Sequence, residues 1–315
     1  MKEYTIITIN PGSSSTKVGV YRGGQVILDK NVDYDTHEFD HCKTFAEQEP
    51  YRTRKIMEIL EEAGIDLTKV DAVSGRGVGI HSCEGGTYEI NDVALEHAMK
   101  DVEHIHHPAT LGIVIAKKLG DQLGVPSYFV NPMSVDELCD EARMTGVKGL
   151  YRPSHGHPLN EKQVAIHHSK LQGTRYQDCN YIVLHMGGGT SIAAHRKGRL
   201  IDSTRSGDGQ GCISPNRSGD LCIDDVLTLM DQRHIDLKEV NKLASRKGGL
   251  AYDEDLVRKI TENVEWIAPV FVYPGSFETE ALGAGAERVL TGEEQAKYYT
   301  GKPVWEGFEQ SYEVQ

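Results

Sequence analysis

One pattern occurs twice in this chain: strand, small-residue loop, strand, tight turn, strand. A repeat of that kind constrains the fold more than any single motif. In the first copy a β-prone run over Tyr4 to Ile9 is broken by Asn10-Pro11-Gly12-Ser13-Ser14-Ser15 and resumes over Thr16 to Tyr21, with Val18 and Val20 on one face. Arg22-Gly23-Gly24-Gln25 then supplies the glycine pair that a two-residue hairpin turn prefers, before a third strand at Val26 to Leu28. The second copy runs through Tyr181 to His185, the loop Met186-Gly187-Gly188-Gly189-Thr190, Ser191 to His195, the turn Arg196-Lys197-Gly198-Arg199, and Leu200-Ile201. Duplication of the unit predicts a two-lobed α/β architecture.

Between the copies lie the parts of an α/β lobe. Asp71 to Ser74 reads as a strand, Asn91-Asp92 caps a helix reaching Glu103, Ala109 to Leu123 is helical, and Ser127 to Val130 is a buried strand. Helices are expected over Val135 to Ala142 and Leu159 to Leu171. After the second copy the pattern turns helical, over Ile223 to Asp231, Leu237 to Ser245, Glu254 to Asn263 and Glu278 to Tyr299, with one strand at Trp266 to Tyr273. The division expected is a first lobe over 1–145 and a second over 146–278, with the boundary near the glycine-bearing stretch Thr145 to Gly149. The C-terminal helix, about 279–300, is expected to pack back on the first lobe. The second lobe counts at least one strand fewer than the first and reads as shortened, and the tail from Gly301 is expected to be partly disordered.

Bulk properties exclude several function classes. A net charge of −13 opposes nucleic-acid binding, which needs lysine and arginine to neutralise phosphates. Any phosphate handled here must meet a local site. No apolar run approaches the ~20 residues of a membrane span, and Met1-Lys2-Glu3-Tyr4 lacks a signal-peptide layout. A cytoplasmic protein with neither membrane nor nucleic-acid partners is expected. The six cysteines are scattered without Cys-x-x-Cys spacing, so reduced thiols are the plain reading.

Chemistry concentrates in the two loops. Gly12, Ser13, Ser14 and Ser15 let backbone N–H groups and hydroxyls approach an anion, and Lys17 can bring a positive charge. The Gly-Lys-Ser/Thr ending of a Walker loop is absent. Alone, such a loop is as often a plain surface turn; Gly187-Gly188-Gly189-Thr190 makes a second one, and two loops can grip a polyphosphate from both sides. Most of the 14 histidines must be bland, and His104, His106 and His107 before Pro108 read as a solvated helix end rather than a metal site.

Ile7-Thr8-Ile9-Asn10-Pro11-Gly12-Ser13-Ser14-Ser15-Thr16-Lys17 resembles the first phosphate motif of acetate and butyrate kinases, and His185-Met186-Gly187-Gly188-Gly189-Thr190-Ser191 their second. Asp208-Gly209-Gln210-Gly211 to Ser214-Pro215-Asn216-Arg217-Ser218-Gly219, and His157-Pro158-Leu159-Asn160 opening a helix, are similar to the butyrate kinase branch; Tyr273-Pro274-Gly275 with Glu278 fits the family's ending. The resemblance implies a duplicated actin-like (ribonuclease H-like) fold with mixed sheets and an interlobe cleft. It implies phosphate transfer between ATP and butyrate or a similar short-chain acid, giving an acyl phosphate and ADP with Mg2+ present. By the same resemblance Arg76 binds the carboxylate, Arg217 the phosphoryl group in transit, and His157 donates to that group, with His155 competing and His107 secondary. Asn10 and Glu278 orient the metal; Asn10, Gly12, Ser13, Ser14, Ser15, Lys17, His185, Gly187, Gly188, Gly189, Thr190, Gly248 and Gly249 bind the nucleotide. For Glu278 the plain alternative is a carboxylate favoured by a helix N-terminus. A homo-oligomer is expected.

Two departures stand out. Asn131 occupies the place of a family aspartate and cannot accept a proton as a carboxylate does, with Asp136 one turn on as a substitute. Arg246-Lys247-Gly248-Gly249-Leu250 reads as two family segments fused, which implies an internal deletion near 249, a poorer adenosine pocket and an exposed strand edge. Acetate, propionate and branched-chain acids are alternative substrates, because a methylene changes specificity by only ~1–3 kcal/mol. A catalytically impaired binding or assembly protein is the alternative of another class.

Overall fold

The computed structural model describes residues 2–205, 211–215, 217–248 and 255–308. The first repeat folds as an antiparallel meander of β1 (Thr5–Pro11), β2 (Ser15–Arg22) and β3 (Gln25–Asp33). Gly23 and Gly24 turn the second hairpin with φ of +54° and +85°, values a β-carbon disfavours. Then come α1 (Glu49–Glu62), β4 (Ala72–Arg76), β5 (Thr87–Glu89), α2 (Asp92–Lys100), α3 (Leu111–Leu123) and β6 (Ser127–Val130). They complete a six-stranded sheet in the order β3-β2-β1-β4-β6-β5. Its centre, β1, β4 and β6, is parallel and covered on both faces, so these strands are buried almost without a break rather than at alternate positions. On this sheet α3 lies unusually close: a side chain at Gly75 or Gly112 would collide with the other segment's backbone. That approach fixes the end of β4, where Arg76 stands.

The second half begins with α4 (Asp140–Arg143) and α5 (Pro158–Leu171), followed by the second meander, β7 (Asn180–Met186), β8 (Thr190–Arg196) and β9 (Arg199–Ser203). Next come α6 (Ile223–Arg233), α7 (Leu237–Lys242) running into a wider turn over Leu243–Lys247, α8 (Asp255–Val264) and α9 (Glu278–Leu290). The last helix packs back on the first sheet, with Gly283 against the Tyr21 ring, Gly285 against Val130, and the Thr279 hydroxyl donating to Asp29 at 2.9 Å. Among the described residues no helix is long and apolar enough to cross a membrane.

Several expected elements differ. Trp266 to Tyr273 is not a strand: Pro269 and Pro274 lack the N–H groups a ladder needs, and Phe271 and Tyr273 instead pack their rings on His168. Among the described residues the second sheet therefore has three strands, and β7 pairs only with β8, leaving Ile182 73% exposed. Val135 to Ala142 forms only the short α4, because Asp136 is turned to Arg143 and Glu137 to backbone N–H groups. Asp101 adopts a left-handed φ of 48°, which stops α2 at Lys100. The last helix ends at Leu290 rather than Tyr299, after which Lys297 bridges to Tyr88 and Tyr299 is buried with its hydroxyl accepting the His81 N–H. Residues 301–308, expected in a loose tail, carry Trp305 onto Arg143 and Tyr151. Helix α1 and strand β5 had no counterpart in the sequence reading.

One buried ion pair ties the halves together. The Lys162 ammonium on α5 donates to Glu137 at 2.7 Å and to the Gly198 carbonyl at 3.2 Å, and both side chains of the pair are 5% exposed. Glu137 also accepts the N–H groups of Gly85 (2.9 Å) and Leu200 (2.7 Å). Lys162→Met strands the carboxylate in the interior and is expected to cost about 3–5 kcal/mol in urea unfolding. The double variant Glu137→Gln, Lys162→Met should recover only part of that, since the amide oxygen can accept from Gly85 or Leu200 while its NH2 faces the other donor; a single-variant loss below about 1 kcal/mol would contradict the pair's role.

Candidate functional site

Strand register builds the first half of the site. β1 and β4 run parallel with Ile9 opposite Gly75, so Asn10 and Arg76 emerge side by side. The Arg76 guanidinium donates from Nη1 to Glu278 Oε1 (2.6 Å) and Asn10 Oδ1 (3.3 Å), and Asn10 Nδ2 donates to Glu278 Oε2 (2.8 Å). Glu278 opens α9, where the helix dipole favours an anion. Burial pushes its carboxyl up, but Arg76 and His185 outweigh this and hold it below the ordinary value.

The first loop is shaped from beneath by a residue that sequence reasoning missed. Arg52, fully buried on α1, donates from Nη1 to the Gly12 and Ser15 carbonyls (both 3.0 Å) and to Thr16 Oγ1 (3.1 Å), and from Nη2 to the Ser13 carbonyl (3.1 Å). Gln48, not a carboxylate, takes its remaining bonds. Drawing the carbonyls inward leaves Ser13 and Ser14 exposed at the tip. Lys17 stands beside Asp29 at 3.7 Å instead of closing over the loop.

In the second loop the Gly187 N–H donates to the Gly189 carbonyl (3.0 Å), and Ser214 Oγ donates to the Gly188 carbonyl (3.1 Å). The Arg217 guanidinium lies against Gly189, where any side chain would collide with it. Thr190 is buried at the start of β8. Gly248 lies behind this arginine, packed on Ser218, and Gly249 falls outside the described residues.

Two stacked histidines fill the space between. The rings of His157, at the start of α5, and His185, near the end of β7, lie 3.9 Å apart. Asn160 fixes one of them: its Oδ1 accepts the Phe277 N–H (2.9 Å), so its Nδ2 donates to His185 Nδ1 (2.9 Å) and leaves the His185 proton on Nε2. Burial, with His185, Arg76 and Arg217 close by, lowers His157 to about 2, so its ring is neutral. Burial lowers His185 as well.

A narrow cleft opens here, with Arg76, His157 and Glu278 on its polar side and Met133, Pro158 and Leu159 on its apolar side. Asn131 also reaches it, but at a left-handed φ of 38° its Oδ1 is taken by the Gly86 N–H (2.8 Å). Asp136 is locked to Arg143 at 2.7 Å and does not stand in for it. His107 caps the turn before α3 by accepting the Ala109 N–H, and His155 lines a separate hollow with Ile80 and Ile105. Asn10, Arg76, His157, His185, Glu278 and Arg217 are thus brought together; Lys17, opposite Asn10 across the first hairpin, is near enough to help lower the Glu278 carboxyl, whereas Gly248 stands aside. Ser191 and Glu161, which contact His157 in succession, were also missed; one lies directly after the second loop and the other one helical turn beyond His157.

The sequence model of the acetokinase family matches residues 152–265. A probable butyrate kinase of Clostridium botulinum (strain Alaska E43 / Type E3) is 35% identical, covering 94% of this chain and 99% of its own. Butyrate kinase 1 of Clostridium acetobutylicum is 33% identical over the same shares. Both alignments run over 354 positions, more than the 315 residues here, so part of the relatives' length has no counterpart in this chain. Among solved structures, Porphyromonas gingivalis acetate kinase superposes with a TM-score of 0.64 at 18% identity, covering 84% of this chain and 75% of its own. A Francisella tularensis propionate kinase does so with a TM-score of 0.60 at 16% identity, covering 92% and 79%. With the relatives matched along nearly their whole length and the two-lobed fold shared, the chain belongs to the acetokinase family.

Proposed function

We propose that this protein is a cytoplasmic carboxylate kinase, working as a homo-oligomer, that moves the γ-phosphoryl group of ATP to butyrate or a similar short-chain fatty acid. The observation that carries this reading is that Arg76 and neutral His157 line one small half-apolar cleft, with Arg217 close to His157 and against the second loop. A carboxylate oxygen attacks the γ-phosphorus as the bond to the β-phosphate oxygen breaks, giving an acyl phosphate and ADP. The nucleophile is already an anion, so no base is required, which fits an Asn131 whose amide oxygen is taken. Charge stabilisation is the main demand. Arg76 bonds Glu278 and Asn10 from Nη1 alone, and its other donors suit a two-oxygen carboxylate. Arg217, against the glycine loop, suits the equatorial phosphoryl oxygens, and Met133, Pro158 and Leu159 suit a short aliphatic tail.

Among the described residues no three acidic, histidine or cysteine side chains converge on a metal position. Mg2+ carried by nucleotide phosphates needs only one or two protein oxygens, and Glu278 beside Asn10 fits that demand. Bound there, the ion would neutralise phosphate charge.

Trapping the acyl phosphate as a hydroxamate with butyrate, isobutyrate, propionate or acetate and Mg-ATP is the direct test; no product with any acid would sink the proposal. Arg217→Ala should lower kcat by about 10²–10³, while Arg76→Ala should raise the KM for the acid about tenfold or more and leave that for ATP nearly unchanged. Arg52→Met strands the loop carbonyls and should raise the KM for ATP more than that for the acid. A deletion near 249 removes adenosine contacts, so calorimetry should find ATP and inorganic tripolyphosphate within about tenfold in Kd, that is ~1.4 kcal/mol; a strong preference for ATP would contradict the deletion.

A further inference from the structure

Behind His157 runs a chain of short polar contacts closed off from solvent. His157 Nδ1 lies 2.8 Å from Ser191 Oγ, and Ser191 Oγ lies 2.6 Å from Glu161 Oε1. Ser191 and Glu161 are both fully buried, and Glu161 Oε2 meets no hydrogen-bond partner. The adjacent cation gives this carboxyl no hydrogen bond, because the Lys162 ammonium is turned to Glu137 at 2.7 Å. Such a group costs least as the neutral acid. Burial indeed pushes the Glu161 carboxyl up to about 7, the Ser191 hydroxyl, the His157 backbone N–H and the Lys162 charge offsetting only part of it.

The same three atoms accept two opposite hydrogen-bond directions. With Glu161 protonated, its O–H donates to Ser191 Oγ, the Ser191 O–H donates to His157 Nδ1, and the ring proton sits on Nε2. With Glu161 ionised, Ser191 donates to the carboxylate and His157 Nδ1–H donates to Ser191, so Nε2 carries a bare lone pair. Nδ1 is tied to Ser191 in both, and Nε2, across the ring, is the nitrogen left for the cleft that His157 lines. The ring stays neutral throughout, lowered by burial beside His185, Arg76 and Arg217.

We propose that Glu161 and Ser191 are positioning residues that decide which nitrogen of His157 holds its proton, and so whether the ring offers a phosphoryl group a donor or a repelling lone pair. The consequence for catalysis rests on the carboxylate-kinase reading; the tautomer does not. The groups facing the two ends are Arg76, Arg217 and His185 around His157, and Lys162 and Tyr176 around Glu161. The sign follows from the acid. Below about pH 7 the chain runs towards His157 and the donor is present, and above it the direction reverses and turnover falls.

Long-range ¹H–¹⁵N correlation of the ligand-free full chain reads the tautomer, with His157→Gln locating the signals. The wild type should move its proton from Nε2 to Nδ1 with a midpoint near 7. In Glu161→Gln the amide donates to Ser191 at every pH, so the Nε2–H form should persist, and kcat should lose the alkaline fall of about tenfold per pH unit with little change in the KM for ATP. Ser191→Ala breaks the chain, and its tautomer should stop following pH. A wild-type tautomer that is constant across this range, or a Glu161→Gln protein that titrates like the wild type, would overturn the assignment. A tautomer that follows pH in a chain forming no acyl phosphate would uphold the relay and sink the kinase reading.

Discussion

The position of His157 relative to Arg76 depends on a carboxylate that touches neither. Glu137 accepts the N–H of Gly85 beside the first sheet, the N–H of Leu200 in the second, and the ammonium of Lys162 on the helix that begins at His157. Buried ion pairs add little net stability, because desolvation offsets much of the attraction. What this one adds is geometry: a helix, a strand and a loop from different halves share one oxygen pair, and moving any of them strands a charge. The cleft inherits that rigidity.

Around the cleft the electrostatics run against the protein as a whole. The chain carries a net charge of −13, yet Arg76 and Arg217 flank His157, which burial keeps uncharged, and His185, which burial lowers. Arg52 adds a further cation beneath the first loop, satisfied by carbonyls, an amide and the faces of Tyr34 and Phe39 rather than by an acid. An anion entering the first loop therefore meets positive potential from Arg52 beneath it, held by neutral groups, while the acidic surface elsewhere discourages long polyanions. Glu278 is the exception, and its bond to Arg76 keeps that arginine oriented until something competes for it.

What could be read from the residues followed how local each signal was. The two meanders, their glycine turns and the strand Ser127–Val130 depend on alternation and turn chemistry within a few positions, and each appears within a few residues of expectation. Helix α1 was invisible because Arg52 interrupts its apolar face with a charge whose purpose lies 36 or more residues away. The eight residues from Trp266 resemble a strand in composition, but strands need a neighbour, and no local pattern reveals that one is missing. Asn131 could be weighed as an altered acid, but not as a residue whose left-handed backbone and amide are committed to Gly86. Ser191 and Glu161 belonged to separate segments, and only the packing of α5 on the second sheet makes them one chain.

The route of the backbone carries a consequence of its own. The first sheet is complete in strands by Val130, but the helix covering the face that holds Tyr21 and Val130 arrives only with Glu278–Leu290. At roughly 5–20 residues per second, a ribosome leaves that apolar surface bare for on the order of ten seconds while the whole second half is made. During synthesis the nascent amino-terminal half is thus a client for whatever shields exposed sheets, and its maturation waits on nearly the last helical turn to emerge.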